Sequence, residues 1–411
     1  MTFSSSTSLP PLDLQVVEQQ LLNKGAYSPL HWLLDCALLP YSAYEQWRYG
    51  EFESLEQALA CDRQALLERL QDAERCAQAL KLVNDPQPYF HWQPDQASRE
   101  LTLSRDGELA RLLAQRWVRP EDAPQLDLFM DSGAAGAENE LADCLTNRRW
   151  QAAETAYHQL CEIAPNNVHL GSYETLVIYG KHMESQPPAA AELAEELAGL
   201  EADIAPLARD LLRAQAQDYL APAWRRLAAV LPKETFDARN PSLHASYAWA
   251  QIPDWAQVIG SIDAVADYHQ QASLLQRLAH ALWHSRRREA ALLLWGYLFE
   301  LAPEQAEQAM DAHPIAALAP IWQDFTDVEP PQPLEYFPAW LLLREPGLAY
   351  HFDKSAYPVP SGKAATAIKD LLQIRAEGGD QVKARERLQA INPILLQQYL
   401  ENLEKGVGDK K

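Results

Sequence analysis

The chain has 411 residues, of which 47% are hydrophobic, and 57 acidic residues against 35 basic ones give it a net charge of −22. This length exceeds the usual single hydrophobic core, so we expect two or three packing units, or one array of stacked units. The negative charge repels phosphate backbones and anionic lipids, which excludes non-specific binding to nucleic acids or membranes from our expectations.

Cysteine usage and the first residues indicate the compartment. The cysteines are odd in number, widely spaced and form no CxxC pair, which favours reduced thiols over a disulfide framework or a zinc site. The first ten residues lack the basic and apolar regions of a signal peptide, and no later run approaches membrane-spanning length. We therefore expect a cytoplasmic protein.

The N-terminal part of the chain predicts a helical module. Residues 1–11 are rich in Ser and Pro and are predicted to be disordered, whereas residues 12–118 carry apolar residues at helical spacing and capping signals. The predicted helices are Leu12–Leu22, Pro29–Leu39, a short helix opened by a Ser54/Gln57 capping box, a long helix from Asp62 to about Val83, and Asp106–Trp117.

The periodicity changes within this module between residues 89 and 103. Tyr89–Trp92 and Glu100–Leu103 are short runs of strand-forming residues on either side of a turn-rich stretch. Two such runs predict a small β-hairpin.

Residues 119–137 have the composition of an exposed linker. Two prolines precede the peptide Gln125-Leu126-Asp127-Leu128-Phe129, and two glycines follow it. Proline and glycine on both sides interrupt helices, so we place a domain boundary here.

The linker peptide resembles the motif Q-L-[SD]-L-F, with which bacterial replication and repair proteins dock on the DNA polymerase sliding clamp. It matches at all five positions. The resemblance implies that Leu128 and Phe129 are apolar anchors in a groove of the clamp and that Gln125 makes a polar contact. Two alternatives stay open: the apolar side chains pack on the protein's own helical body, or the peptide binds another partner.

Residues 138–404 predict a helical-repeat domain. Arg148–Asn167 resembles the second half of a tetratricopeptide repeat, and Arg286–Glu304 has the same spacing 138 residues later. The matching positions are Trp150, Ala153, Tyr157 and Pro165 in the first copy, and Ala291, Trp295 and Pro303 in the second. Arg288 stands where the first aromatic residue would be, so the second match is weaker.

The resemblance implies a particular packing. Alanine lets two helices of a hairpin approach closely, the aromatic residues fill the gap to the next hairpin, and proline stops the helix. It implies an α-α superhelical array and brings no catalytic residue with it.

The remaining segments complete the predicted fold. Between the copies, Pro206 and Pro222 are expected to interrupt helices, and Pro330–Leu348 is expected to pack across the end of the array. Residues 362–376 and 381–403 predict closing helices, and residues 405–411 a flexible tail. The whole chain is therefore predicted to be mainly all-α, with one small β-hairpin in its N-terminal module.

Motifs for catalysis are missing. The chain contains no HExxH, GxSxG or GxGxxG sequence, and we expect no catalytic residue, metal or cofactor. His280 and His284 have a spacing that suits a metal ion, but packing is the favoured interpretation because no third ligand is placed nearby by sequence.

Two hypotheses about function follow. The first is a non-enzymatic scaffold or adaptor for proteins, recruited to replication or repair through Gln125–Phe129. The alternative is an enzyme or small-ligand binder with a pocket between the N-terminal module and the helical array, lined by His91, Trp92, His280 or His284.

Overall fold

A computed structural model describes residues 9–10, 12–96, 99–120, 132–183, 188–189, 191–312, 315 and 317–408. The chain divides into two compact units. Unit 1 comprises residues 1–231 and 251–254, and unit 2 comprises residues 232–250 and 255–411. Most of the described chain is helical, with one short antiparallel ladder, which confirms the predicted mainly α-helical fold with a small β-hairpin.

The N-terminal module lies in unit 1. Its helices are α1 (Leu14–Lys24), α2 (Pro29–Asp35), α3 (Tyr41–Arg48), α4 (Arg63–Ala79) and α5 (Gly107–Leu113). Asp62 caps α4 as predicted, since its side chain accepts a hydrogen bond from the backbone N–H of Ala65 at 2.9 Å. The Ser54 side chain makes no capping bond, and a 3-10 turn over Leu55–Ala58 follows it instead of an α-helix.

The β-structure of the module is smaller than the predicted hairpin. Strands β1 (Val83–Asn84) and β2 (Trp117–Val118) form the antiparallel ladder and flank the predicted segments. The predicted segments meet at a single bridge between Phe90 and Glu100, with hydrogen bonds on either side of it.

The rest of unit 1 is a succession of helices. They are α6 (Ser132–Thr146), α7 (Trp150–Ile163), α8 (Leu170–His182), α9 (Leu193–Gly199), a π-helical turn over Leu200–Ile204, α10 (Ala205–Leu212) and α11 (Ala216–Val230). Helix α6 begins inside the predicted linker. The predicted boundary at residues 119–137 falls within unit 1, and residues 121–131 lie outside the described residues, so that division stays a prediction.

Unit 2 has its own apolar core. Its helices are α12 (Ala245–Gln251), α13 (Trp255–Asp263), α14 (Ala272–His284), α15 (Arg288–Leu301), α16 (Pro303–Ala312), α17 (Ala319–Thr326), α18 (Phe337–Arg344), α19 (Lys363–Ala376), α20 (Val382–Ile391) and α21 (Pro393–Gly408). Helix α18, from the proline-rich segment, is buried from Phe337 to Leu343 and belongs to the core. Helix α21 includes residues 405–408 of the predicted flexible tail.

The turns that join α6 to α7 and α14 to α15 have matching backbones. Arg148 has a φ of 58° and Arg286 a φ of 59°, and the next residues also agree, with φ −94° and ψ 66° at Arg149 and φ −96° and ψ 58° at Arg287. The N–H of Arg149 bonds to the carbonyl of Cys144 at 2.9 Å, and the N–H of Arg287 bonds to that of Leu282 at the same distance. The spacing of 138 residues therefore relates two helical hairpins of the same construction, a repeat-like architecture.

Among the helices that the structure describes, none combines the length and apolar character needed to cross a bilayer.

Candidate docking site

The most elaborate polar site of unit 1 joins the N-terminal module to the first hairpin. It is built around the Arg148 turn, residues 147–149 between α6 and α7. The Arg148 guanidinium donates to Glu45 Oε1 at 2.9 Å and to the Tyr49 hydroxyl at 3.1 Å, and lies 3.6 Å from the centroid of the Trp92 ring. These three partners all belong to the module, so this side chain holds the module against the turn.

Two of the partners of Arg148 come from α3 and its capping residue. Glu45 and Tyr49 are four residues apart, which puts them on the same side of the helix end. Both charges of the ion pair are buried, with the Glu45 side chain 6% exposed and that of Arg148 7% exposed. Breaking such a pair leaves an uncompensated buried charge, whose cost makes the docked arrangement specific.

A second arginine reinforces the junction from the module's side. Arg48 donates to the Asn147 Oδ1 atom at 2.6 Å and to the Tyr44 hydroxyl at 2.6 Å, and its guanidinium lies 4.4 Å from the Trp92 centroid. The Asn147 amide is oriented by its own bonds to Asp143. Arg48 thus reaches from the module to Asn147, and Arg148 reaches in the opposite direction to Glu45 and Tyr49.

A proline within α11 prepares an acceptor for Arg148. Pro222 was expected to interrupt a helix, but α11 runs through it. Because proline has no N–H, the carbonyl of Asp218 four residues earlier loses its helical donor. That carbonyl accepts a hydrogen bond from Arg148 Nε at 3.0 Å instead. The arginine satisfies the group that Pro222 leaves open, which offsets part of the cost of a proline inside a helix.

The Asp218 carboxylate closes the network. It accepts hydrogen bonds from the hydroxyls of Tyr41 at 3.0 Å and Tyr44 at 2.9 Å, and lies 3.4 Å from Arg48. Burial raises the pKa of Asp218, and the neighbouring arginines and tyrosine hydroxyls oppose that rise. Burial also raises the pKa of both tyrosines well above the ordinary value, so they remain neutral donors.

Arg148 itself is held in its charged form. Burial disfavours the cation, but Tyr41, Glu45, Tyr49 and Asp218 together raise the pKa of Arg148 above its ordinary value. Glu45 also accepts from Arg225 Nη1 at 3.0 Å. These buried groups are paired with one another, so the site can orient and fasten protein segments.

The linker peptide lies outside the residues that the structure describes. Its residues are Gln125, Leu126, Asp127, Leu128 and Phe129. Clamp docking, packing on the chain's own body and binding to another partner all stay predictions.

The predicted repeat residues occupy different environments. Ala153, Ala291 and Trp295 are fully buried, Trp150 is 7% exposed, and Tyr157 is half-buried. Gly180 on α8 packs on the Trp150 ring so closely that a Cβ atom there would lie 2.6 Å from Cε3. Trp150 therefore fills the gap between α7 and α8.

The two prolines end their repeats differently. Helix α7 ends at Ile163, and the exposed Pro165 follows its capping residue. In the second copy Pro303 is the first residue of α16, where a missing N–H costs nothing.

The residues named for a ligand pocket divide between the two units, with His91 and Trp92 in unit 1 and His280 and His284 in unit 2. Trp92 is buried beneath the two guanidinium groups in unit 1. In unit 2, His284 stacks on Trp255 with the ring centroids 4.4 Å apart, and His280 makes an edge contact with Trp295. In the described part of the chain, no group of three or more His, Cys, Asp or Glu side chains is arranged to hold a metal ion.

His91 lines a separate cleft of about 370 Å³ within the N-terminal module. Its ring packs on Gly50, where a Cβ atom would lie 2.5 Å from Cε1, and burial followed by the charges of Arg99 and Arg48 lowers the pKa of His91. Of the four predicted lining residues, His91 is the one that lines this cleft.

An acidic groove of about 690 Å³ runs along α8, α9 and the π-helical turn of unit 1. Four carboxylates line it, together with Tyr179 and apolar residues: Glu192, Glu195, Glu196 and Asp203. Its negative field attracts cations.

Sequence reasoning missed the docking site because its members are scattered over 180 residues. Arg148 and Arg225 share the partner Glu45, which lies more than 100 residues away from either of them in the sequence. The sequence contains one signal of the site. Pro222 lies inside an otherwise regular helical pattern, and a proline there leaves the carbonyl four residues earlier without its helical donor.

Comparison of the chain with protein-family models, with curated proteins and with solved structures gave no match. The tetratricopeptide resemblance therefore stays a prediction drawn from the residues themselves.

Proposed function

We propose that the protein is a non-enzymatic interaction scaffold whose helical hairpins hold other protein segments. The observation that carries the proposal is the Arg148 turn, which fastens the chain's own N-terminal module by an ion pair, a phenol hydrogen bond and a ring contact. Buried arginine and aromatic contacts of this kind dominate the stability of protein interfaces. The hairpin thus has the chemistry of a docking element.

The proposal includes recruitment to a bacterial sliding clamp through Gln125–Phe129, in the cytoplasm. Its support is the agreement of the peptide with the clamp-binding motif at all five positions. Recruitment through a short peptide needs no basic surface, so it is compatible with a net charge of −22. The protein would act at DNA through the clamp without binding the phosphate backbone itself.

Surface plasmon resonance with immobilised bacterial sliding clamp tests the recruitment. The full-length protein is expected to bind with a Kd of about 1–10 µM, because a few apolar anchors contribute little after the cost of ordering the peptide. The double substitution Leu128→Ala and Phe129→Ala should abolish binding and leave the melting temperature unchanged. A matched control replaces two exposed apolar residues, Leu22 and Val168, with alanine and should bind like wild type.

The opposite result separates recruitment from self-packing. If the wild-type protein does not bind the clamp and the double substitution lowers the melting temperature, Leu128 and Phe129 belong to the protein's own core. Recruitment would then be rejected, and the scaffold proposal would rest on the Arg148 turn alone.

A further inference from the structure

The second hairpin contains a turn that matches the Arg148 turn. The Arg286 turn, residues 285–287 between α14 and α15, has the backbone of the Arg148 turn, including the left-handed arginine. The same left-handed cap ends other helices at Ala37 and Lys81, so the two turns share more than an ordinary helix end only in the arginine at the left-handed position. In the first copy the role of this arginine is visible, because Arg148 is inserted among Glu45, Tyr49 and Trp92.

Arg286 is exposed and lacks such partners. Among the residues that the structure describes, its side chain has no hydrogen-bond or ion-pair partner, while its backbone N–H donates to the carbonyl of Trp283 at 3.0 Å. Its neighbours differ, since Arg287 donates to the Tyr357 hydroxyl at 3.1 Å and Arg288 pairs with Glu345 at 2.6 Å. The neighbouring arginines are thus held on their own unit, and Arg286 remains available.

We propose that the Arg286 turn docks a partner protein through a helix that carries a carboxylate and, four residues later, an aromatic residue. This inference rests on the proposed scaffold function and names the chemistry of its partner. The first copy supplies the template, because its occupant α3 presents Glu45 and Tyr49 in this spacing. Charge complementarity agrees, since the exposed Arg286 side chain has no ion-pair partner among the described residues and a carboxylate would neutralise it.

The chain's own α3 sequence provides a defined probe. A fluorescent peptide of residues 40–50 contains Glu45 and Tyr49, and a hydrocarbon staple between positions 42 and 46 would keep it helical. Ser42 and Gln46 are suited to the staple because both are exposed in α3 and lie on the side away from its contacts. Fluorescence anisotropy would measure its binding to the full-length protein.

The expected Kd for wild type is about 10–100 µM, since one ion pair and one ring supply modest affinity. Arg286→Ala should raise the Kd at least tenfold, and a Glu45→Gln peptide should do the same with the wild-type protein. Combining both changes should add little, because they remove the same contact. Arg239→Ala, an exposed arginine of the same unit, is the matched control and should bind like wild type.

Two results would overturn the inference. One is a peptide that does not bind wild type, or that binds Arg286→Ala equally well. The other is a pair of observations: a 20-base-pair DNA duplex binds wild type but not Arg286→Ala, and the Glu45→Gln peptide binds wild type with the same Kd as the original peptide. Together they would identify a phosphate-binding site instead. If Glu45 and Arg148 are coupled within the chain but the peptide fails, the scaffold proposal survives and only this extension falls.

Discussion

Replacing Glu45 with glutamine is expected to loosen the N-terminal module from the first hairpin. The substitution keeps the shape of the side chain but removes the negative charge that Arg148 and Arg225 share. Removing one partner of a buried pair typically costs about 3–5 kcal/mol, because the remaining cation is left without compensation. We expect a loss near the lower end, since Tyr49 and the Asp218 carbonyl still accept from Arg148.

Arg148→Met completes a double-mutant cycle. This variant also loses the donor to the Asp218 carbonyl, which Pro222 leaves without a helical partner, so about 3 kcal/mol or more is expected. Glu45→Gln combined with Arg148→Met should cost less than the sum of the single changes by about 2 kcal/mol, since neither side then buries an unpaired charge.

Urea unfolding and amide hydrogen exchange together measure the effect. Exchange in α3 should accelerate in both single variants, because the docked face opens more often. Arg105→Met is the matched control, since Arg105 pairs with Glu53 on an exposed surface and should change stability by less than about 1 kcal/mol. A coupling below about 0.5 kcal/mol would show that Arg148 does not fasten the module through Glu45.

Two further variants and a pH titration test the packing and pH response of unit 1. Ala153→Trp should lower the free energy of unfolding by about 1–3 kcal/mol or more in urea titrations, because Ala153 is fully buried in α7. Gly180→Ala should cost about 1–3 kcal/mol by the same assay, since the added methyl group meets the Trp150 ring. Burial, assisted by Lys24, lowers the pKa of His31 to about 4. The unfolded state therefore binds this proton first as pH falls, and stability should drop by about 2 kcal/mol from pH 7 to pH 5.

Each of these three predictions has a matched substitution that tests it. Ala152→Trp lies on the exposed face of α7 and should be nearly neutral, so equal effects at positions 152 and 153 would refute a helix crossing. Gly171→Ala adds a methyl group on α8 with no atom nearby and should leave stability unchanged or slightly higher. His31→Gln should remove the part of the pH dependence assigned to His31, and an unaltered profile would assign it elsewhere.

The helices were predictable where local signals were strong. Asp62 and Asp106 both cap helices, and the 138-residue spacing located two hairpins whose turns have matching backbones. Local capping and apolar periodicity depend on neighbours within one or two turns, which a sequence displays directly.

Other features depend on distant groups and could not be predicted. The ladder forms between Val83–Asn84 and Trp117–Val118, although Tyr89–Trp92 has the stronger strand composition, because pairing depends on which segments the surrounding helices bring together. Helix α11 continues through Pro222 since a side chain from the α6–α7 turn compensates it. The members of the docking site are likewise separated in sequence and converge only in the fold.

Under the scaffold proposal, the two arginine turns would let an acidic chain use cations for recognition. A net charge of −22 keeps nucleic acids and other acidic surfaces away at long range, so non-specific contacts are suppressed. At contact distance, screening shortens the range of the global charge to about 8 Å, and local geometry decides. An arginine held on a rigid helical turn then loses little conformational entropy when it meets a carboxylate beside an aromatic ring. In unit 1 this chemistry is used within the chain, and the same turn in unit 2 presents it at the surface.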